Sequence, residues 1–244
     1  MYFVIFAFYL ITNSYRRHLR PNFKKLRSTS KAGWSHLECI DCNRLKRQIK
    51  REINEQKRGE LDDILTKHKK GAWAAKQKYY NTRSKACKKE NQLKGDVSMI
   101  IDAGGGSGCS SIPRFESTEK SEPARHTMLK IKSTFIKVHG IGSLLVVTLP
   151  DIEKQGGNLA VECILRGIQF AMKETNLTKI RNLYVQLDNV SSNKCYSLIS
   201  SMAAIVATGI CKKIKINYLV VGHTHEDIDG LIGTLIYVNI TNKN

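Results

Sequence analysis

The 244-residue sequence predicts an α/β fold with a mixed sheet, in the order β-β-β-α-β-α-β-α, preceded by a basic helical segment. Three observations carry that expectation. Apolar residues recur at helical spacing between Asn43 and Arg83, β-branched runs alternate with amphipathic stretches after Val97, and the charge is concentrated near the start of the chain. Residues 1 to 95 hold 24 Lys and Arg against 8 Asp and Glu, whereas residues 96 to 244 hold 16 against 13. With 41% apolar residues, the composition suits one large or two smaller globular domains. It excludes disorder throughout, a collagenous repeat and a disulfide miniprotein.

The chain divides into three expected parts: a basic arm with the remnant of an upstream domain (1–36), a basic helical hairpin with a C-x-x-C pair (37–95), and an α/β core (96–244). The opening MYFVIFAFYLI is too short for the ~20 residues of a spanning helix. It also lacks the basic start and small-residue cleavage site of a signal peptide, so it reads as a strand or helix whose domain begins upstream. Seven cysteines, odd in number and mostly scattered, suit a reducing, intracellular compartment. No membrane association is expected. Residues 13 to 38, punctuated by Pro21 and Gly33, read as a linker.

In the second part, Leu45, Ile49, Ile53, Leu61, Ile64, Leu65, His68, Ala72, Ala75 and Tyr79 mark two helices broken at Gly59. Their outer faces carry Arg44, Arg47, Lys50, Arg51, Lys57 and Arg58. Such a face suits phosphates, and it equally suits a helix kept soluble by its charge.

In the third part, VSMIID, TMLKIKSTFIKVHG and GSLLVVTLP read as an antiparallel meander, with the Gly-rich stretch after the first run as a loop. The segment NLAVECILRGIQFAMKETN carries an amphipathic stripe, LYVQLDN reads as a strand, and Cys195 to Thr208 as a helix apolar nearly all round. IKINYLVV is a buried-type strand that leads into GHTHEDIDG, where a final helix is expected to start.

Acids take equivalent places in that order. Asp102 ends the first strand, Asp188 ends the fourth, and Glu226, Asp227 and Asp229 follow the fifth. Ligands of open α/β sheets sit at the carboxyl ends of strands. Carboxylates converging at ~4 Å would repel by about 4 kcal/mol per pair at an effective dielectric near 20. Such a cluster calls for a hard cation, Mg²⁺ or Mn²⁺, able to activate a water or hydroxyl at a phosphodiester. Taken singly, each acid reads as a turn or capping residue: Asp188-Asn189 is good turn chemistry, and Thr224 with Asp227 makes a capping box.

MIIDA, the strand pair through VHG, NLAVECI, the QLDN block and above all YLVVGHTHEDIDG resemble a domain family found in animal and algal genomes, itself similar to transposase cores of the ribonuclease H-like superfamily. The resemblance runs from about Leu37 to Leu231 and takes in Cys39, Cys42, His68 and Tyr79 or Tyr80. It implies a ribonuclease H-like sheet and DNA strand transfer or cleavage. The catalytic acids would be Asp102 and Asp188, with Asp229 or Asp227 third. On their own chemistry, His223 and His225 suit a site-lining role, orienting a carboxylate or contacting phosphate or the divalent ion, and His223 equally suits satisfying backbone groups at the helix start. Ala103 and Gly230 depart from the family pattern, which has Gly after the first acid and Gln after the last. The implied partner is DNA, contacted by Arg44, Arg47, Lys50 and Arg51, and the implied location is the nucleus. Self-association into a homo-oligomer stays open. A non-catalytic nucleic-acid-binding or scaffold protein derived from such an element is the alternative.

Smaller signals remain. GHTH also resembles the terminal metal motif of calcineurin-like metallophosphoesterases, whose upstream blocks are absent here. Cys39-x-x-Cys42 is half of a zinc site, with His36 and His68 as the nearby completing ligands. GGGSG lacks the Lys-Ser/Thr of a phosphate loop. Trp34, Trp73, Tyr79 and Tyr80 read either as stacking surfaces for bases or as the core of the hairpin.

Overall fold

The computed structural model describes residues 6–10, 39–103, 111–112, 129–148, 157–218, 220 and 228. Strand β1 (Phe6–Leu10) precedes helices α1 (Ile40–Arg51), α2 (Glu55–Cys87) and α3 (Lys89–Leu93). There follow β2 (Asp96–Ala103), β3 (Ser111–Ile112), β4 (Leu129–Lys130), β5 (Lys132–Val138) and β6 (Gly142–Thr148). The order closes with α4 (Gly157–Thr175), β7 (Ile180–Leu187), a 3₁₀ turn (Ser191–Lys194), α5 (Tyr196–Ala207) and β8 (Cys211–Tyr218). The main sheet has six strands in the order β1-β6-β5-β2-β7-β8. Strands β2, β5 and β6 form the antiparallel meander the sequence predicts, and β7 and β8 run parallel to β2. The opening apolar run joins this same sheet, with β1 antiparallel to β6.

Two expectations need correction. The helical hairpin breaks at residues 52–54, and α2 continues through Gly59. Asn54 decides this: its side chain accepts from the Lys57 backbone N–H at 3.2 Å, the bond that starts a helix. Ile53, expected on the first helix, therefore falls in the break and is 93% exposed. The long run from Thr127 to Gly140 is likewise not one strand. Leu129–Lys130 pairs with Ser111–Ile112 in a separate two-stranded sheet, and only Lys132–Val138 joins the meander.

Helix α2 is about 50 Å long at 1.5 Å per residue. Its buried residues are Leu65, Ala72, Tyr79 and Ala86, one every seven positions. Seven residues are close to two turns, so these four form one buried ridge, flanked by the part-buried Leu61, His68 and Tyr80. The first half of the ridge meets α1, where Leu65 packs with Cys39, Cys42 and Leu45. The second half crosses one face of the sheet, where Tyr79 packs with Ile100 and Phe135.

The opposite face is apolar along every central strand. Val97, Met99 and Ile101 of β2, Leu183, Val185 and Leu187 of β7, and Ile136 and Val138 of β5 pack there against α4 and α5. The alternation follows from the pleat, which sends successive residues to opposite faces. Helix α4 approaches closely because Gly167 faces the sheet. A Cβ at that position would sit 2.9 Å from the Met99 Sδ and Cε atoms.

Candidate functional site

Strands β2 and β7 are parallel neighbours, with Asp96 opposite Asn182 and Ile100 opposite Gln186. Continuing that register by two residues sets Asp102 level with Asp188 at the carboxyl ends of adjacent strands. Neighbouring strands lie ~4.8 Å apart. Asp102 shares the face of Ile100 and stands opposite Phe135 of β5. It is half-buried, whereas Asp188 is exposed. Asp188 also serves its own turn: Oδ1 accepts from the Asn189 backbone N–H at 2.7 Å, and its carbonyl accepts from Asn193 Nδ2 at 3.0 Å.

Two side chains beside these acids were not singled out by sequence reasoning. Gln186 is buried, and its Oε1 accepts no hydrogen bond from the described residues; the same holds for Asn189 Oδ1. Gln186 Nε2 is engaged by the Leu187 carbonyl at 3.1 Å. Among the described residues the Gln186 and Asn189 side-chain oxygens, near the end of β7, have no donor. The QLDN run was the available signal, and it served only as a mark of resemblance.

His223, His225, Glu226, Asp227 and Asp229 lie outside the described residues, as do His36, Trp34 and the Gly-rich stretch 104–108. Ile228 is described. It is buried and packs with Tyr79, Ile100 and Phe135 on the Asp102 face of the sheet.

A second constellation forms between α1 and α2. Cys39 precedes α1, Cys42 lies in its first turn, and His68 comes from α2. Their ligand atoms all lie within 4.8 Å of one another, and Cys39 Sγ is 3.2 Å from His68 Nε2. Both cysteines are buried. Burial pushes the Cys42 thiol up from its ordinary value, and the neighbouring Cys39 adds to the effect. Tetrahedral zinc with Zn–S near 2.3 Å and Zn–N near 2.1 Å separates its ligand atoms by about 3.5 to 3.8 Å, so the three donors fit a metal of that kind. None of the six described cysteines forms a disulfide.

Arg44, Arg47, Lys50 and Arg51 are all exposed on α1. Arg44 bonds Asp41 at 2.9 Å, an exposed pair. Of the aromatics, Trp73 is 65% exposed, but Tyr79 is buried and cannot stack on a base. Its hydroxyl is 3.0 Å from His139 Nε2, and His139 Nδ1 is 3.0 Å from Ser98 Oγ. All three residues are buried, and this Ser-His-Tyr chain fastens α2 to the sheet. Among the described residues, no helix is long and apolar enough to cross a membrane.

Residues 121–237 match a family described as a domain of unknown function, DUF7869. That span contains Asp188, His223, Asp227 and Asp229; Asp102 and the Cys39, Cys42 and His68 group precede it. No curated protein and no solved structure matches the chain.

Proposed function

We propose that the chain is a transposase-like DNA strand-transfer or nuclease domain with a ribonuclease H-like core. One observation carries this reading: β2 and β7 pair in parallel up to Ile100 opposite Gln186, a register that, continued by two residues, sets Asp102 level with Asp188. The meander followed by two parallel strands supports the core assignment. In this reading Asp102 and Asp188, with Asp229 or Asp227 as third acid, hold Mg²⁺ or Mn²⁺, and His223 borders the site. The buried oxygens of Gln186 and Asn189, which have no partner among the described residues, suit a cation at this end of β7. A bound ion of this kind polarises a phosphodiester and lowers the pKa of a water or hydroxyl. The chain's own part is to hold the carboxylates at one level and to offer the basic face of α1 to the DNA backbone. Nuclear localisation follows from the same reading.

Cys39, Cys42 and His68 are read as a structural zinc site that fixes α1 against α2 and so sets the direction of the basic face. Dialysed protein should retain zinc, and His68→Ala should lose it.

Melting curves with and without Mn²⁺ test the carboxylate site. A ligand that prefers the native state raises the melting temperature through RT ln(1 + [L]/Kd). Asp188→Asn should raise the melting temperature of the metal-free protein by relieving repulsion, while abolishing both the Mn²⁺ shift and DNA cleavage or joining. The Asp188 to Asn189 hydrogen bond favours a second reading, in which Asp188 is only a turn residue of a non-catalytic nucleic-acid-binding scaffold. In that case Mn²⁺ gives no shift and Asp188→Asn simply destabilises.

A further inference from the structure

At the opposite end of the parallel strands, three elements bring like charges together. Lys85 comes from the last turn of α2, Arg181 and Asn182 open β7, and Lys212 and Lys213 open β8. They line one open groove of about 430 Å³. The lysines are exposed, and among the described residues none of the three forms an ion pair. The nearest acid is Asp96, which is buried and already engaged. Its Oδ1 accepts from Arg181 Nε at 2.8 Å and from Asn182 Nδ2 at 2.7 Å.

That arrangement prepares the arginine for a ligand. Asp96 occupies Nε and fixes the guanidinium plane, which leaves the Nη groups as a forked donor pair on a side chain that is part exposed. The backbone beneath is equally fixed. Gly95, at φ +86°, uses its carbonyl to accept from the Arg181 N–H at 2.8 Å and the Asn182 N–H at 3.3 Å. A Cβ at Gly95 would come within 3.0 Å of the Arg181 nitrogen.

We propose that this groove binds the phosphodiester backbone of nucleic acid, as a contact separate from both the α1 face and the carboxylate ends. An open trough with three ammonium groups that have no ion-pair partner among the described residues, set around one oriented guanidinium, suits a polyanion running through it, because each phosphate displaces counterions and no enclosure is required. The eight residues of β7 span about 26 Å, so the groove and the Asp188 end are separated by the length of about eight base pairs at 3.4 Å each. The inference rests on nucleic acid being the partner, as the functional reading holds, but not on catalysis.

The test is anisotropy of a labelled duplex between about 50 and 200 mM salt, comparing the full chain with a Lys85→Gln, Lys212→Gln, Lys213→Gln triple variant and a Glu version of it. All three positions are on the surface, and circular dichroism checks that the variants fold. The slope of log affinity against log salt should fall in magnitude by about 2 to 3, near 0.9 per lost phosphate contact. If the triple variant keeps the wild-type slope while neutralising Arg44, Arg47, Lys50 and Arg51 reduces it, the groove is overturned and the DNA reading stands. If wild type shows no salt-dependent duplex binding, both fall. If inorganic phosphate stabilises wild type but not the triple variant, and duplex binding is unaffected by the substitutions, the groove takes a small phosphate ligand and the proposal is overturned.

Discussion

Tyr79 Oη lies 3.0 Å from His139 Nε2, inside the interface between the long basic helix α2 and the sheet. The other nitrogen of the same ring meets Ser98 Oγ at 3.0 Å. With both nitrogens engaged, the imidazole is held between a helix residue and a strand residue. This polar rivet sits on the same face of the sheet as Asp102, which lies four residues along β2 from Ser98, so the elements that carry basic charge and the elements that carry carboxylates are fixed to each other.

Removing one hydroxyl exposes that dependence. Tyr79→Phe keeps the ring packed against Ile100 and Phe135 but removes the hydroxyl that meets the buried His139 nitrogen. The expected cost is about 1 kcal/mol, the net worth of a typical buried hydrogen bond. It should appear in urea unfolding as a lower midpoint with an unchanged slope.

The Cys39, Cys42 and His68 group should show opposite pH responses with and without metal. In the metal-free protein the Cys42 thiol is raised by burial, so its neutral form is favoured in the native state. The associated stability is present below the unfolded thiol pKa and lost as pH rises through the folded value. Metal binding requires thiolates, so zinc affinity should instead fall with acid, by up to about a hundredfold per pH unit if both cysteines release a proton. Competition with a chromophoric chelator at two pH values below 8 checks the second effect, and melting with EDTA from pH 7 to 10 checks the first.

Asp96 gives an acid-side prediction. Burial acts most strongly on it and favours the neutral acid, but the hydrogen bonds from Arg181 and Asn182 with the Arg181 charge outweigh burial and hold the carboxyl below its ordinary range. A depressed carboxyl contributes stability above its unfolded pKa, and that stability is lost as pH falls through the folded value. Asp96→Asn should therefore lower stability at pH 7 by about 1 to 3 kcal/mol. The deficit relative to wild type should shrink as pH is lowered from about 5 towards 2 in parallel denaturation series.

Gly167 sets the spacing of α4 on the sheet. Gly167→Ala adds a methyl within 2.9 Å of Met99 and 3.3 Å of the Ile136 Cγ2 atom, and should cost about 1 to 3 kcal/mol despite the better helix propensity of alanine. In a Met99→Ala background the same substitution should cost less, and the difference in a double-mutant cycle measures the clash.

Much of this architecture is legible in the sequence because it depends on local period. The alternation in VSMIID and GSLLVVT, and the stripe Leu159, Ile164, Ile168, Ala171, specify which face of each element is buried before any partner is known. Acids at the ends of VSMIID and YVQLD are equally local, and so is the C-x-x-C spacing. Other features are not local. A helix interior tolerates one exposed glycine, so Gly59 gave no stop, and the boundary fell to the single hydrogen bond that the Asn54 side chain accepts from the Lys57 N–H. The seven-residue ridge of α2 serves two different partners, which no stretch of its own sequence distinguishes.

The sequence by itself determined the element types, the placement of positive charge and the candidate ligands, since these follow from backbone periodicity and side-chain chemistry within a few residues. Only the tertiary structure decided which of them meet. Parallel pairing of β2 with β7 sets Asp102 level with Asp188 across 85 intervening residues, and the α1–α2 hairpin brings His68 to Cys39 across 28. The Lys85, Arg181, Lys212 and Lys213 groove likewise joins residues from three elements. Such contacts are selected by the burial of whole faces against one another, an energy summed over the entire sheet and its helices, and no local segment contains it.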